Sequence, residues 1–141
     1  LADAMDMAQE KVKEFSGICF FDIESESINV DDIITDGAIT IIEIGNINKI
    51  SAYIVNPNSI ICGDENLGMC GSRGCPMAIF AENASYSYTG WQPIPINYGT
   101  QTLLLMPHSG WMCGGEHNGS PCFSVIAWDE LNKTFNLVQS R

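Results

Sequence analysis

The chain has 141 residues, with 17 acidic against 6 basic side chains, a net charge of −11, 6 Cys and 45% hydrophobic residues. That length suits a single domain over residues 1–141, with roughly two-thirds of the unfolded surface buried, enough for a core that needs no metal or cofactor. A surface of this sign repels phosphate and its basic residues are scattered, so neither nucleic acid nor an anionic membrane is expected as a partner. No apolar run approaches the roughly 18 residues of a membrane span, and the longest Ile-rich stretch, Ala38 to Ile44, is broken by Thr40 and Glu43.

The opening Ala2-Asp3-Ala4 has the A-x-A form found before a signal-peptidase cut, so residues 1–4 fit the tail of a removed export signal or appended residues. Met5, Ala8, Val12 and Phe15 then recur at helical spacing, with Asp3 or Asp6 as cap and Gly17 as stop, which predicts one N-terminal helix. Beyond Gly17 the pattern turns strand-like. The expected strands are 18–23, 38–44, 49–55, 77–81, 86–91, 102–106, 123–128 and 134–138, all short, rich in Ile, Phe, Tyr and Val, and punctuated by Gly, Pro and Asn. No internal repeat emerges. The fold class is therefore α+β: an N-terminal helix packed on a mostly antiparallel sheet and braced by disulfides.

Charge is uneven. Residues 1–45 hold 11 acids and 2 lysines, whereas residues 46–141 hold 6 acids and 4 bases. Asp22, Glu24 and Glu26 alternate and so share one face of the strand expected there, where solvation is the plain reading. They do not make a calcium loop, because the twelfth position counted from Asp22 is Ile33 rather than Glu.

Cys19, Cys62, Cys70, Cys75, Cys113 and Cys122 are an even set in a small domain, the pattern of a disulfide framework in an oxidising compartment, secreted or periplasmic. Six cysteines allow fifteen connectivities. Cys70-Gly71-Ser72-Arg73-Gly74-Cys75-Pro76 fits a small closed loop with Arg73 at its tip, and Cys113 to Cys122 encloses a second, glycine-rich loop. Cys19 to Cys62 is then the long bridge, worth on the order of 3–4 kcal/mol by loop entropy, more than either short one.

Other chemistries fit less well. His108, Cys113, His117 and Cys122 carry zinc-ligand atoms, but C-x4-C and H-x4-C-x3-H-x4-C do not match structural zinc knuckles, so no metal is expected. Paired cysteines cannot act as nucleophiles, and no nucleophile motif surrounds any of them; His108 and His117 read as loop or surface residues. Phosphate-binding, nucleophile-elbow and dinucleotide motifs are missing, and nothing singles out a carboxylate pair for glycoside hydrolysis. Asn83, Asn118 and Asn132 head glycosylation sequons, which matter only in a eukaryotic secretory pathway. No catalytic residue and no cofactor are expected.

Tyr86, Tyr88, Trp91, Trp111 and Met112 are aromatic or apolar residues near expected loops, where core packing is the default. Trp91 leads into Pro93 and Pro95, which keeps the stretch out of a central strand, and Trp111-Met112 abuts the second cysteine loop. Arg73, Trp91, Trp111, Met112 and His117 are thus the candidate partner-binding residues.

In Cys62, Cys70-Gly71-Ser72-Arg73-Gly74-Cys75-Pro76, Cys113-Gly114, Cys122 and Trp128-Asp129, roughly half the chain resembles a group of small, uncharacterised exported proteins of alphaproteobacteria with a CGxxGCP motif. An acidic D-x-N-x-D-G-x-x-D segment often precedes the first of those cysteines; here residues 45–52 occupy that place and keep Asn but no carboxylate, so a calcium role does not carry over. The 18 Ile and 11 Asn fit AT-rich coding in a host-associated bacterium. Together with export, the resemblance implies a small Sec-secreted effector: a rigid, non-enzymatic binder or inhibitor of a host protein, papain-like cysteine proteases being among the targets of that class. The alternative is a periplasmic envelope protein with a structural or hydrolase role.

Overall fold

In the computed structural model, which describes residues 3–20, 33–63, 65–109 and 122–140, helix α1 runs Ala4–Ser16. Asp3 caps it, its Oδ1 accepting from the Asp6 N–H at 2.8 Å and so satisfying one of the donors that a helix start leaves unpaired. Ala4, Ala8, Val12 and Phe15 are buried, whereas Met5 is exposed; Ala4, one position earlier, completes the stripe. Gly17 does not enter the left-handed region as a helix stop often does, but stays right-handed at φ −59° and tightens into a 3₁₀ turn, Gly17–Phe20. The strand expected from Ile18 is thus replaced as far as residue 20, because Cys19 sits buried in that turn and is tied to Cys62. The remainder of that expected strand, and the acidic trio Asp22, Glu24 and Glu26, lie outside the described residues.

Three antiparallel sheets follow among the described residues. A small one joins β1 (Ile33–Ile34), β4 (Ile61–Cys62) and β5 (Glu65–Asn66). The first large sheet has the order β2 (Ile39–Ile44), β3 (Ile50–Val55), β6 (Cys75–Ala81), β7 (Ala84–Gly90). The second has the order β11 (Thr134–Ser140), β10 (Cys122–Asp129), β9 (Gln101–His108), β8 (Ile94–Tyr98). Seven of these strands answer expected runs. β1, β4 and β5 are too short to show a period, and β8 is an edge strand, the place where Pro95 costs no ladder hydrogen bond.

The two large sheets pack face to face, and α1 covers the opposite face of the first. Alternation along β3 explains this arrangement: Ala52 and Ile54 enter the core between the sheets, while Tyr53 and Val55 meet the helix side. In β6, Met77 and Ile79 face the second sheet and Ala78 and Phe80 face the helix, so nearly every residue of the strand is buried. The inter-sheet core includes Leu104, Met106, Ile126, Trp128 and Phe135; the last two rings meet edge to face at 5.1 Å.

Polar contacts fasten one end of the sandwich. Gly45 and Thr102 bridge the sheets through their backbones. The Lys49 ammonium donates to Gly45 O (2.8 Å), Thr100 O (2.8 Å) and Thr102 Oγ1 (2.9 Å), while Glu130 Oε1 accepts from the Asn46 and Asn48 N–H groups at 2.7 and 3.1 Å. The turns Glu82 and Lys133, both at positive φ, face each other as an exposed ion pair at 3.5 Å. Asp129 organises the β10–β11 turn by accepting from the Leu131 and Asn132 N–H groups and from the amides of Asn132 and Asn136.

Cys19–Cys62 spans 43 residues and Cys70–Cys75 spans 5, as expected; Cys122 is also disulfide-bonded, and Cys113, its expected partner, lies outside the described residues.

Replacing Cys19 and Cys62 together by Ala should cost about 4 kcal/mol, against about 2 kcal/mol for Cys70 and Cys75, read from urea midpoints under oxidising conditions. Equal losses would contradict the loop-entropy ranking. The hydrogen bonds from Asn132 hold the Asp129 carboxyl below its usual pKa, so the stability this group adds is present above the ordinary carboxylate range and disappears as pH falls through its lowered value. Asp129→Asn should therefore flatten the acid limb of the melting-temperature profile and leave its pH dependence near neutrality unchanged.

Candidate functional site

The opposite end of the sandwich gathers the strand ends around Trp91. Cys70 and Cys75 close a turn whose glycines bond to each other, Gly71 N–H to Gly74 O at 3.1 Å and Gly74 N–H to Gly71 O at 3.0 Å, leaving Arg73 exposed at the tip. Cys75 lies opposite Gly90 in the β6–β7 ladder, which brings that turn beside Trp91. Backbones touch here: a Cβ on Gly74 would come within 2.5 Å of Gly90 O, and one on Gly90 within 2.3 Å of Pro107 O. Only glycine permits either approach.

Trp91 is 41% exposed, yet its backbone is held on both sides. Its N–H donates to Pro107 O at 3.0 Å, and its carbonyl accepts from the Tyr88 hydroxyl at 2.6 Å. Burial, reinforced by neighbouring Tyr86, pushes the Tyr88 pKa well above that of a free phenol, so the hydroxyl stays protonated as a donor.

Beneath this surface, His108 bridges the sheets. Its Nδ1 lies 3.0 Å from Thr89 O, which can only accept, so Nδ1 carries the proton; Nε2, 2.9 Å from Ser124 Oγ, then accepts from that hydroxyl. The Tyr88 ring meets the imidazole edge to face at 5.5 Å. A serine hydroxyl donating to a tautomer-fixed histidine is the arrangement of an activated nucleophile, but Ser124 is 7% exposed on the inner face of β10, where it serves to satisfy buried polar atoms. Just past the end of β9, Ser109 is buried with its hydroxyl unpaired.

Of the expected partner-binding residues, the structure brings together Arg73 and Trp91; Trp111, Met112 and His117 lie outside the described residues. His108 is not the loop or surface residue expected: it closes β9 and is half buried. Tyr86 and Tyr88 join the inter-sheet core. The His108–Ser124 link was invisible in sequence because it depends on the β9–β10 register, in which His108 opposes Cys122 and Ser124 opposes Met106. Among the described residues no three His, Cys, Asp or Glu side chains converge on a common point.

A cleft of about 640 Å³ opens on the other flank, between α1 and the strands β1 and β2, lined by Val12, Lys13, Ser16, Ile33, Thr35 and Ile39 among others. Its Ser16 hydroxyl is already committed to Val12 O at 2.7 Å, while Gln9, Lys13 and Thr35 supply the other polar side chains of its lining. No family model, curated protein or solved structure matches the chain.

Tyr88→Phe should cost about 1 kcal/mol and accelerate hydrogen exchange at the Trp91 amide, since it removes one of the two restraints on that residue. His108→Ala, which strands both Thr89 O and Ser124 Oγ, should cost more, about 2 kcal/mol, by urea unfolding.

Proposed function

We propose that the protein is a non-enzymatic binding module, exported to an oxidising compartment, that grips a protein partner through its disulfide-braced end. The observation that carries this reading is Trp91: a large aromatic side chain held half in solvent on a backbone fixed by Pro107 O and the Tyr88 hydroxyl. Tryptophan and arginine are the residues that most often dominate a protein interface, and Arg73 stands on the adjacent disulfide-closed turn. Anchors fixed in advance lose little conformational entropy on docking. The buried state of the Ser124 hydroxyl favours binding over hydrolysis. The finer form of the proposal, drawn from the resemblance to exported alphaproteobacterial proteins, is an effector that inhibits a host papain-like cysteine protease.

Immobilised oxidised protein should retain a saturable protein partner from host extract, with a papain-like protease inhibition assay as the first directed arm. Trp91→Ala should weaken that complex by about 2 kcal/mol or more, roughly 30-fold, with the melting temperature of the free protein unchanged. Turnover of peptide or glycan libraries by the wild type, abolished in Ser124→Ala, would overturn the reading; so would the lack of any saturable protein partner.

A further inference from the structure

Three neighbouring turns at the Lys49 and Glu130 end carry the most exposed large apolar side chains among the described residues. Leu131 is 89%, Ile47 86% and Tyr98 77% exposed, and no other exceeds 58%. Ile47 tips the β2–β3 turn, Leu131 tips the β10–β11 turn, and Tyr98 flanks the β8–β9 turn. Hydrogen bonds hold these turns side by side: Glu130 Oε1 reaches the Asn46 and Asn48 N–H groups, and the Thr100 hydroxyl donates to the Asn46 side chain. Every residue of the three turns is described. The two long undescribed stretches start and finish at the other end of the sandwich. Cys19 and Ile33 both meet Cys62, on the segment whose Asn56 bonds to Gln92 beside Trp91, and His108, bonded to Thr89, opposes Cys122.

The backbone around these tips is already satisfied. Both N–H groups flanking Ile47 go to Glu130, the Leu131 and Asn132 N–H groups go to Asp129 Oδ1, and Gly45 O and Thr100 O accept from Lys49. A medium that offers no hydrogen bonds requires such internal pairing. The charged side chains at these turns have partners as well: Lys49 and Glu130 as above, Asp129 with Asn132 and Asn136, and Lys133 with Glu82 on the adjoining β6–β7 turn. Two lysines against three acids leave only −1 there, so local charge neither draws nor strongly repels a surface. We propose that this end is a membrane-interface anchor, with Ile47, Leu131 and Tyr98 dipping into the headgroup and upper acyl region of an electrically neutral bilayer. A fluid interface accepts three separate projections, whereas a protein would need a matching pocket for each. Tyrosine suits that depth, its ring apolar and its hydroxyl wet. Withdrawing one aliphatic side chain from water is worth roughly one to two orders of magnitude in partitioning, so the three tips give weak, reversible binding on the order of 10⁴ M⁻¹, like one acyl chain. So anchored, the protein turns its Trp91 end away from the bilayer, and the inference stands independently of the Trp91 reading.

The full oxidised chain is to be co-sedimented with phosphatidylcholine vesicles and with vesicles in which about a third of that lipid is replaced by phosphatidylglycerol. It should partition onto the neutral vesicles with a constant on the order of 10⁴ M⁻¹ that changes less than about twofold between 50 and 300 mM salt. The anionic vesicles should bind it about threefold more weakly at 50 mM salt, because the whole chain carries −11. Ile47→Asp and Leu131→Asp should each reduce partitioning about tenfold or more, since either sends a charge into the interface. Ile47→Leu should retain it, because a fluid medium reads apolar area rather than shape. Val138→Asp, 58% exposed near the other end of β11, should leave it unchanged. Melting curves verify that each variant folds, and Leu131→Ser replaces Leu131→Asp if the latter does not. No binding to the neutral vesicles, tighter binding to the anionic ones, or binding that survives both Asp substitutions would overturn the inference. So would a dimer in sedimentation equilibrium that Ile47→Asp dissolves, which would assign the tips to a second copy of the chain.

Discussion

The first large sheet has apolar side chains on both faces at its centre, and this constraint organises the molecule. In β6, Met77 and Ile79 need cover on one side while Ala78 and Phe80 need it on the other. One layer cannot supply both. The helix fills one requirement with Ala8, Val12 and Phe15, and the second sheet fills the other with Leu104, Met106, Ile126 and Trp128. At about 25 cal/mol per Å² of apolar surface, burial on two sides of a central strand outweighs any single polar contact, so the three-layer order follows from burial rather than from the turns.

The two ends of the sandwich are then finished by different means. At the end around Lys49 and Glu130, an ammonium and a carboxylate occupy turns that would otherwise leave backbone carbonyls and N–H groups unpaired. At the end around Trp91 the joining elements are steric and neutral: glycine backbones in direct contact, a cross-linked turn and a tyrosine hydroxyl. Exposed ion pairs such as Glu82–Lys133 contribute little by comparison. The second end consequently presents its side chains with little need for electrostatic restraint, and there an exposed tryptophan keeps a fixed position.

The same division accounts for the pairing of half-buried His108 with buried Ser124. A histidine reaching across from one sheet to a carbonyl of the other adds a directional contact inside a core that is otherwise held by non-directional burial. It fixes how the sheets meet directly beneath Trp91. Edges of the second sheet are blunted by local features: Pro95 lies in β8, and in β11 Val138 is the extra residue of a bulge, since Val125 pairs with Gln139 and Ile126 with Leu137. The broad face between those edges carries no such device.

Local periodicity and composition were enough to determine the helix at residues 4–16 and the run of short antiparallel strands, because each depends on spacing along the chain, and the short Cys70–Cys75 loop was suggested by its spacing; of the fifteen possible connectivities, only the fold selects Cys19–Cys62. Arg73 and Trp91 were legible for the same reason: a tight cysteine loop and a proline-bounded tryptophan both leave a mark in sequence. What the chain could not reveal was which strands neighbour one another. That choice depends on how two layers bury each other's apolar faces, and it alone sets Trp91 against Pro107, His108 against Thr89, and a row of isoleucine, leucine and valine on the outer side of the second sheet. Alternation tells that a strand has two faces; only packing against a second layer decides which of them is left to water.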